Sequence, residues 1–121
     1  MLASQFFKIL STEETENGLE VAIEINSAHE IFKGHFPGNP VVPGVCVVQM
    51  LTDILNKRHQ KSFVMSSAKV IKFTQVINPT EAENLVFSIK EDAIENGWKV
   101  QAQLDSKAGN HFKCSGEFTV G

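Results

Sequence analysis

The run EVAIEI sets Val21, Ile23 and Ile25 against Glu20, Ala22 and Glu24. A period of two is that of a strand with one face buried. The next residues, SAHE, have the form of a capping box, with Ser27 at the N-cap and Glu30 at N3, and predict a short helical turn. From Val42 to about Lys57 the period changes. Val45, Val48, Leu51, Thr52 and Leu55 recur at helical spacing, while Val47, Met50 and Ile54 carry the apolar surface round most of the circumference. Such a helix must be wrapped by other structure. KRHQK at its end puts cations beside the negative end of the helix dipole and marks the exit to solvent.

The second half alternates again. SSAKVIKFTQVI runs through Ile71 and Phe73, and NLVFSIKE follows the Asn78-Pro79 loop. Trp98, Val100, Ala102 and Leu104 then alternate with Lys99, Gln101, Gln103 and Asp105, and Phe112, Cys114, Gly116 and Phe118 repeat the pattern. Asn96-Gly97 is a strong hairpin signal and KAGN a second. The predicted order is one strand, one apolar helix, then four antiparallel strands joined as a meander. A single sheet covers only one side of such a helix, so a second copy of the chain is expected to cover the remainder, as a homodimer with scope for a higher oligomer.

At 121 residues with 42% hydrophobic content, the chain is expected to form a single domain over residues 1–121. A net charge of -3 and the lack of a long basic run argue against nucleic-acid binding. No apolar run approaches the ~18 residues of a membrane span, and MLASQFFKIL lacks a basic region ahead of its apolar residues, so neither a membrane span nor a signal peptide is expected and a cytoplasmic location follows. Cys46 and Cys114 match no metal spacing and read as reduced, buried thiols.

GHFPGNPVVPGV, residues 34–45, joins the two halves. Pro43 has a fixed φ and no N–H, which suits the first turn of a helix, and Gly44 allows a ligand close to the backbone. The result is a helix N-terminus with free amides near His35.

This segment resembles the active-site motif of the beta-hydroxyacyl-ACP dehydratases of fatty acid synthesis, and KVIKFTQVINPTEAENL after the helix extends the resemblance over nearly the whole chain. The resemblance implies an α+β hotdog fold, one long central helix wrapped by a curved antiparallel sheet, with two subunits joined edge to edge. It implies that His35 is the base that removes the C2 proton of a 3-hydroxyacyl thioester, and that the Gly44 N–H polarises the thioester carbonyl. A base of ordinary pKa near ~6.5 and an amide at the developing enolate oxygen suit that chemistry. The family's general acid lies on the helix, at the position held here by Gln49. An amide donates a hydrogen bond but cannot deliver a proton. Family members commonly carry Glu or Asp there with Gln one turn later, whereas here Gln49 is followed by Asp53, so the carboxylate has moved one turn along the same face.

Phe32, Phe36 and Met50 are candidates for lining an acyl tunnel. Lys33, Lys69 and Lys72 are candidates for steering an acidic acyl carrier protein to its mouth. His29 reads as a helical-turn residue, His59 as a solvated helix-end residue and His111 as a strand-edge residue. No metal or redox cofactor is needed. The expected activity is elimination of water from a 3-hydroxyacyl thioester, on a carrier protein, to a trans-2-enoyl thioester. The rivals are a non-catalytic acyl-binding or partner subunit and, more weakly, a hotdog thioesterase.

Overall fold

A computed structural model describes residues 6–34 and 40–121. Six antiparallel strands form one sheet around one main helix. The elements run β1 Phe7–Thr15, β2 Gly18–Ile25, α1 Ile31–Gly34, α2 Gly44–His59, β3 Phe63–Phe73, β4 Leu85–Ile94, β5 Gly97–Ser106 and β6 Gly109–Val120. This is the expected hotdog architecture, with two corrections to the strand plan.

First, a strand precedes the one read from EVAIEI. In β1 only Phe7 is buried and most other positions are exposed, so its sequence, FKILSTEET, lacks the clean alternation of a half-buried strand. The legible signal was Asn17 followed by Gly18, at the two-residue turn Glu16-Asn17 that returns β1 onto β2 between Thr15 and Gly18. Second, the last four strands are not a simple meander. The order across the sheet is β1-β2-β4-β5-β6-β3, so β3 pairs with β6. Only β4, β5 and β6 follow one another as hairpins, through Asn96-Gly97 and the turn before Gly109. Residues 74–84 between β3 and β4 are too many for a tight hairpin, and they carry the chain across to the far side of the sheet.

The predicted helical turn is present, but its capping oxygen belongs to Asn26, whose Oδ1 accepts the Ala28 N–H at 3.0 Å, rather than to Ser27. An Asn side chain makes this local turn as readily as a serine. His29 closes the turn by accepting the Ile31 N–H on Nδ1.

In α2, Met50, Leu51 and Leu55 are fully buried in one cluster with Phe87, Ile89, Val100, Leu104, Phe112 and Phe118 of the sheet. Each such side chain contributes about 1.5–3 kcal/mol relative to exposure, so this cluster seats the helix. One stripe of α2 is left over: Val45 is 76% exposed, and Val48 and Gln49 are half-buried. The helix ends at Gln60, in left-handed conformation, whose N–H returns to the Asn56 carbonyl.

His59 is not solvated as expected. Its ring stacks on Trp98 at 4.3 Å, and Nε2 lies 2.9 Å from Glu91 Oε2. Arg58 donates to Glu91 Oε1 at 2.7 Å and to both oxygens of Glu14. The Glu91 side chain is only 5% exposed, so two donors, the Arg58 guanidinium and the His59 ring, converge on one buried carboxylate and tie the end of α2 to β1, β4 and β5. No helix among the described residues is long and apolar enough to cross a membrane.

Candidate active site

The N-terminus of α2 is built by its lead-in. Val42 donates to the Ile77 carbonyl at 2.9 Å, which fixes the extended stretch before the helix against the segment following β3. Pro43 is the N-cap (φ -61°, ψ 144°) and brings no side-chain acceptor. Its carbonyl takes the amides of Cys46 at 2.9 Å and Val47 at 3.4 Å. The amides of Gly44 and Val45 precede the first possible intrahelical bond, so they point out of the end of the helix with its positive dipole behind them. A serine or aspartate cap would have occupied this end.

Beside it lies a mostly apolar cleft of about 550 Å3 lined by Val42, Gly44, Val47, Phe73, residues 74–77 and His111. A Cβ at Gly44 would stand 2.8 Å from Cζ of Phe73, so any side chain there would require that ring to move. Phe73 is itself 53% exposed and leans on Phe112, their centroids 5.4 Å apart.

Gln49 and Asp53 do share a face. Gln49 Nε2 donates to Asp53 Oδ1 over 2.9 Å. Asp53 is 5% exposed, and its Oδ2 is buried with no hydrogen-bond partner among the described residues. Since a carboxylate only accepts, the Gln49 amide must present its nitrogen to Asp53, and its carbonyl oxygen and second N–H are not used in that contact.

His35 and Phe36 lie outside the described residues. Phe32 is buried with its ring 5.6 Å from that of Phe6, and Met50 has no exposed surface, so neither lines the cleft beside Gly44. Lys33, Lys69 and Lys72 are all exposed, the last two on edge strand β3. Both cysteines are buried and unbridged. Burial pushes the Cys114 thiol up to about 11 and raises that of Cys46, so neither offers a thiolate nucleophile near neutrality. Among the described residues no group of three or more His, Cys, Asp or Glu side chains is placed to hold a metal ion.

His111 is the site-lining residue that periodicity misread. It is 4% exposed, not a strand-edge residue, and both its ring nitrogens are engaged. Periodicity offered no signal for it, because His111 is in phase with Lys113, Ser115 and Glu117 on the more exposed face of β6, while Phe112, Cys114 and Phe118 set the buried one.

The ApeI-like family, described as ApeI dehydratase, matches residues 11–116. The chain belongs to this family. Among curated relatives, the 3-hydroxyacyl-[acyl-carrier-protein] dehydratase FabZ of Lactobacillus helveticus is 30% identical over 74% of this chain and 64% of its own length. That of Ligilactobacillus salivarius is 32% identical over 74% of this chain and 67% of its length. The chain therefore spans about two thirds of such relatives. Among solved structures, the dehydratase heterocomplex ApeI:P from Xenorhabdus doucetiae superposes with a TM-score of 0.75 over 93% of this chain and 96% of that one, at 17% identity. An uncharacterized protein from Erwinia carotovora superposes at 0.62 and 20% identity. Both share the hotdog fold of this ApeI-like chain.

Proposed function

We propose that this ApeI-like chain is a dehydratase subunit that eliminates water from 3-hydroxyacyl thioesters. The observation that carries the reading is the uncapped α2 N-terminus opening on an apolar cleft, with a buried carboxylate held by Gln49 on the same helix. The thioester carbonyl accepts from the Gly44 amide, so the enolate oxygen gathers charge where a dipole already favours it. His35 takes the C2 proton. The C3–O bond then breaks, and the hydroxyl leaves as water with a proton from Asp53, directly or through a water, while Gln49 orients it. In that role the proton sits on Oδ2, the oxygen left without a partner by the Gln49 contact. The cycle closes when the proton on His35 returns to Asp53 through solvent. The apolar walls suit the acyl chain, with Phe36 a further candidate lining residue beside the motif.

The active assembly is a homodimer. β3 is a sheet edge, and Val45, Ile71, Phe73 and Val76 are 76%, 41%, 53% and 72% exposed around it, an apolar margin that a second copy would cover. In it, His35 of one subunit faces the Gln49–Asp53 pair of its neighbour. The substrate is carried by an acyl carrier protein, as in the names of the curated relatives, and the exposed Lys33, Lys69 and Lys72 suit its acidic surface. The protein acts in the cytoplasm, in fatty acid or polyketide-type synthesis.

The test is to incubate the purified protein with 3-hydroxyacyl thioesters of carrier protein and of coenzyme A and to follow enoyl product by mass. Absence of turnover on both would sink the reading. A second reading, a subunit that binds acyl groups but leaves catalysis to a partner, is favoured by the amide at the family's acid position and by the neighbour being a heterocomplex. Tight thioester binding without turnover would select it.

A further inference from the structure

We propose that His111 is a positioning residue for the amide end of α2, through the segment that walls the cleft. The hydrogen bonds form a continuous path. His111 Nδ1 lies 3.2 Å from both the Gln75 and Val76 carbonyls. Two carbonyls can only accept, so Nδ1 carries the proton and donates to them. Nε2 is then the acceptor, 2.6 Å from Ser106 Oγ. The Ser106 oxygen also accepts the Ala108 N–H at 3.0 Å, which leaves its own proton for Nε2 and closes the β5–β6 turn.

The same stretch is held at its start, where Thr74 donates from N to the His111 carbonyl at 3.0 Å and from Oγ1 to Asn110. One residue past Val76, the Ile77 carbonyl accepts the Val42 N–H, and Val42 leads through Pro43 into Gly44. A buried imidazole on β6 thus sets the height of residues 74–77, and they set where α2 begins. The segment is not part of a sheet ladder, so little else pins its carbonyls. The consequence for chemistry rests on the reading of the Gly44 amide as the group that receives the thioester oxygen. A donor displaced by a fraction of an ångström loses much of its effect on a developing charge, and displacement remote from the chemistry can cost up to ~100-fold in rate.

Three variants separate this role from bulk packing. His111→Leu keeps volume and offers no donor. His111→Gln places its amide near the former Nε2 and offers none at Nδ1. His111→Asn keeps a donor close to the Nδ1 position. Two quantities are read in each folded variant: hydrogen exchange of the Val42 amide by NMR, against Leu51 and Leu55 as core references, and kcat and KM for enoyl formation.

In the Leu and Gln variants, Val42 exchange should rise about tenfold or more while the references hold. In the same two variants kcat should fall about tenfold or more with KM within about threefold, and Asn should recover most of both effects. Val42 exchange unchanged in the folded Leu or Gln variant overturns the proposal, and so does an Asn variant as impaired as Leu. A rise in exchange with undiminished kcat overturns it equally. If the parent turns over no thioester, the dehydratase reading fails, while Val42 exchange still decides whether His111 sets the start of α2.

Discussion

Gln49 donates its side-chain amide to Asp53 over 2.9 Å, one turn along α2, and the second oxygen of that buried carboxylate has no partner among the described residues. An unsatisfied buried acceptor costs stability, about 1–3 kcal/mol, and a charged one more. Sites that keep such a group trade stability for function.

Asp53→Asn should therefore separate the two. The neutral amide still accepts from Gln49, so chemical denaturation should show stability unchanged or raised by about 1 kcal/mol. Dehydration should fall by about 100-fold or more, because the proton donor is gone. A variant with full turnover would show that the acid is elsewhere. Gln49→Glu is the companion measurement: a gain in rate would mean that the Gln–Asp order is a weakened form of the family's arrangement.

At Gly44 the close approach of Phe73 makes a directional prediction. Gly44→Ala puts a methyl 2.8 Å from the ring, which must swing aside into the cleft or toward solvent. We expect kcat/KM to drop by about tenfold, with partial recovery in Gly44→Ala/Phe73→Ala, since residues in contact couple. Strictly additive losses would show that the ring is not the obstacle.

The carboxylate at the other end of α2 is structural. Glu91→Gln leaves Arg58 and His59 facing a weaker acceptor in a site where the Glu91 side chain is 5% exposed. Loss of about 3 kcal/mol in urea unfolding is expected, at the low end for a broken buried pair because Arg58 is partly solvated. Enoyl formation per folded molecule should change little.

Glu14, the outer partner of Arg58, should show its contribution through pH. Its hydrogen bond to Arg58 is the main reason its carboxyl is held below the ordinary range. A depressed carboxyl adds stability above its unfolded pKa and loses it as pH falls through the folded one. The difference between parent and Glu14→Gln should therefore be present at neutral pH and fade as pH falls below the ordinary carboxylate range and through the depressed folded one in acid unfolding curves. It should be small and shrink with salt, because the side chain is 70% exposed.

The proposed dimer predicts twice the 13.4 kDa of one chain by light scattering at micromolar concentration. Val45→Glu, at the 76% exposed start of α2, should shift the mass toward the monomer. A monomeric parent would remove the basis for a site shared between subunits.

What depends on neighbours along the chain was readable from the sequence. The alternation of Val21, Ile23 and Ile25, the helical recurrence ending at Leu55, the Asn96-Gly97 turn and the motif around Gly44 are all set by backbone geometry over a few residues. The shared face of Gln49 and Asp53 was readable for the same reason. The pairing of β3 with β6 was not, because a long connection leaves the choice of neighbour to the sheet as a whole. Nor was β1, an edge strand with few buried positions and hence little period. The histidines make the distinction sharpest. His59 and His111 look like surface residues from their neighbours in sequence, yet each is enclosed by groups brought from elsewhere: Glu91 and Trp98 around one, the Gln75 and Val76 carbonyls around the other. A polar side chain is buried when partners arrive to satisfy it, and the arrival of partners is decided by tertiary structure alone.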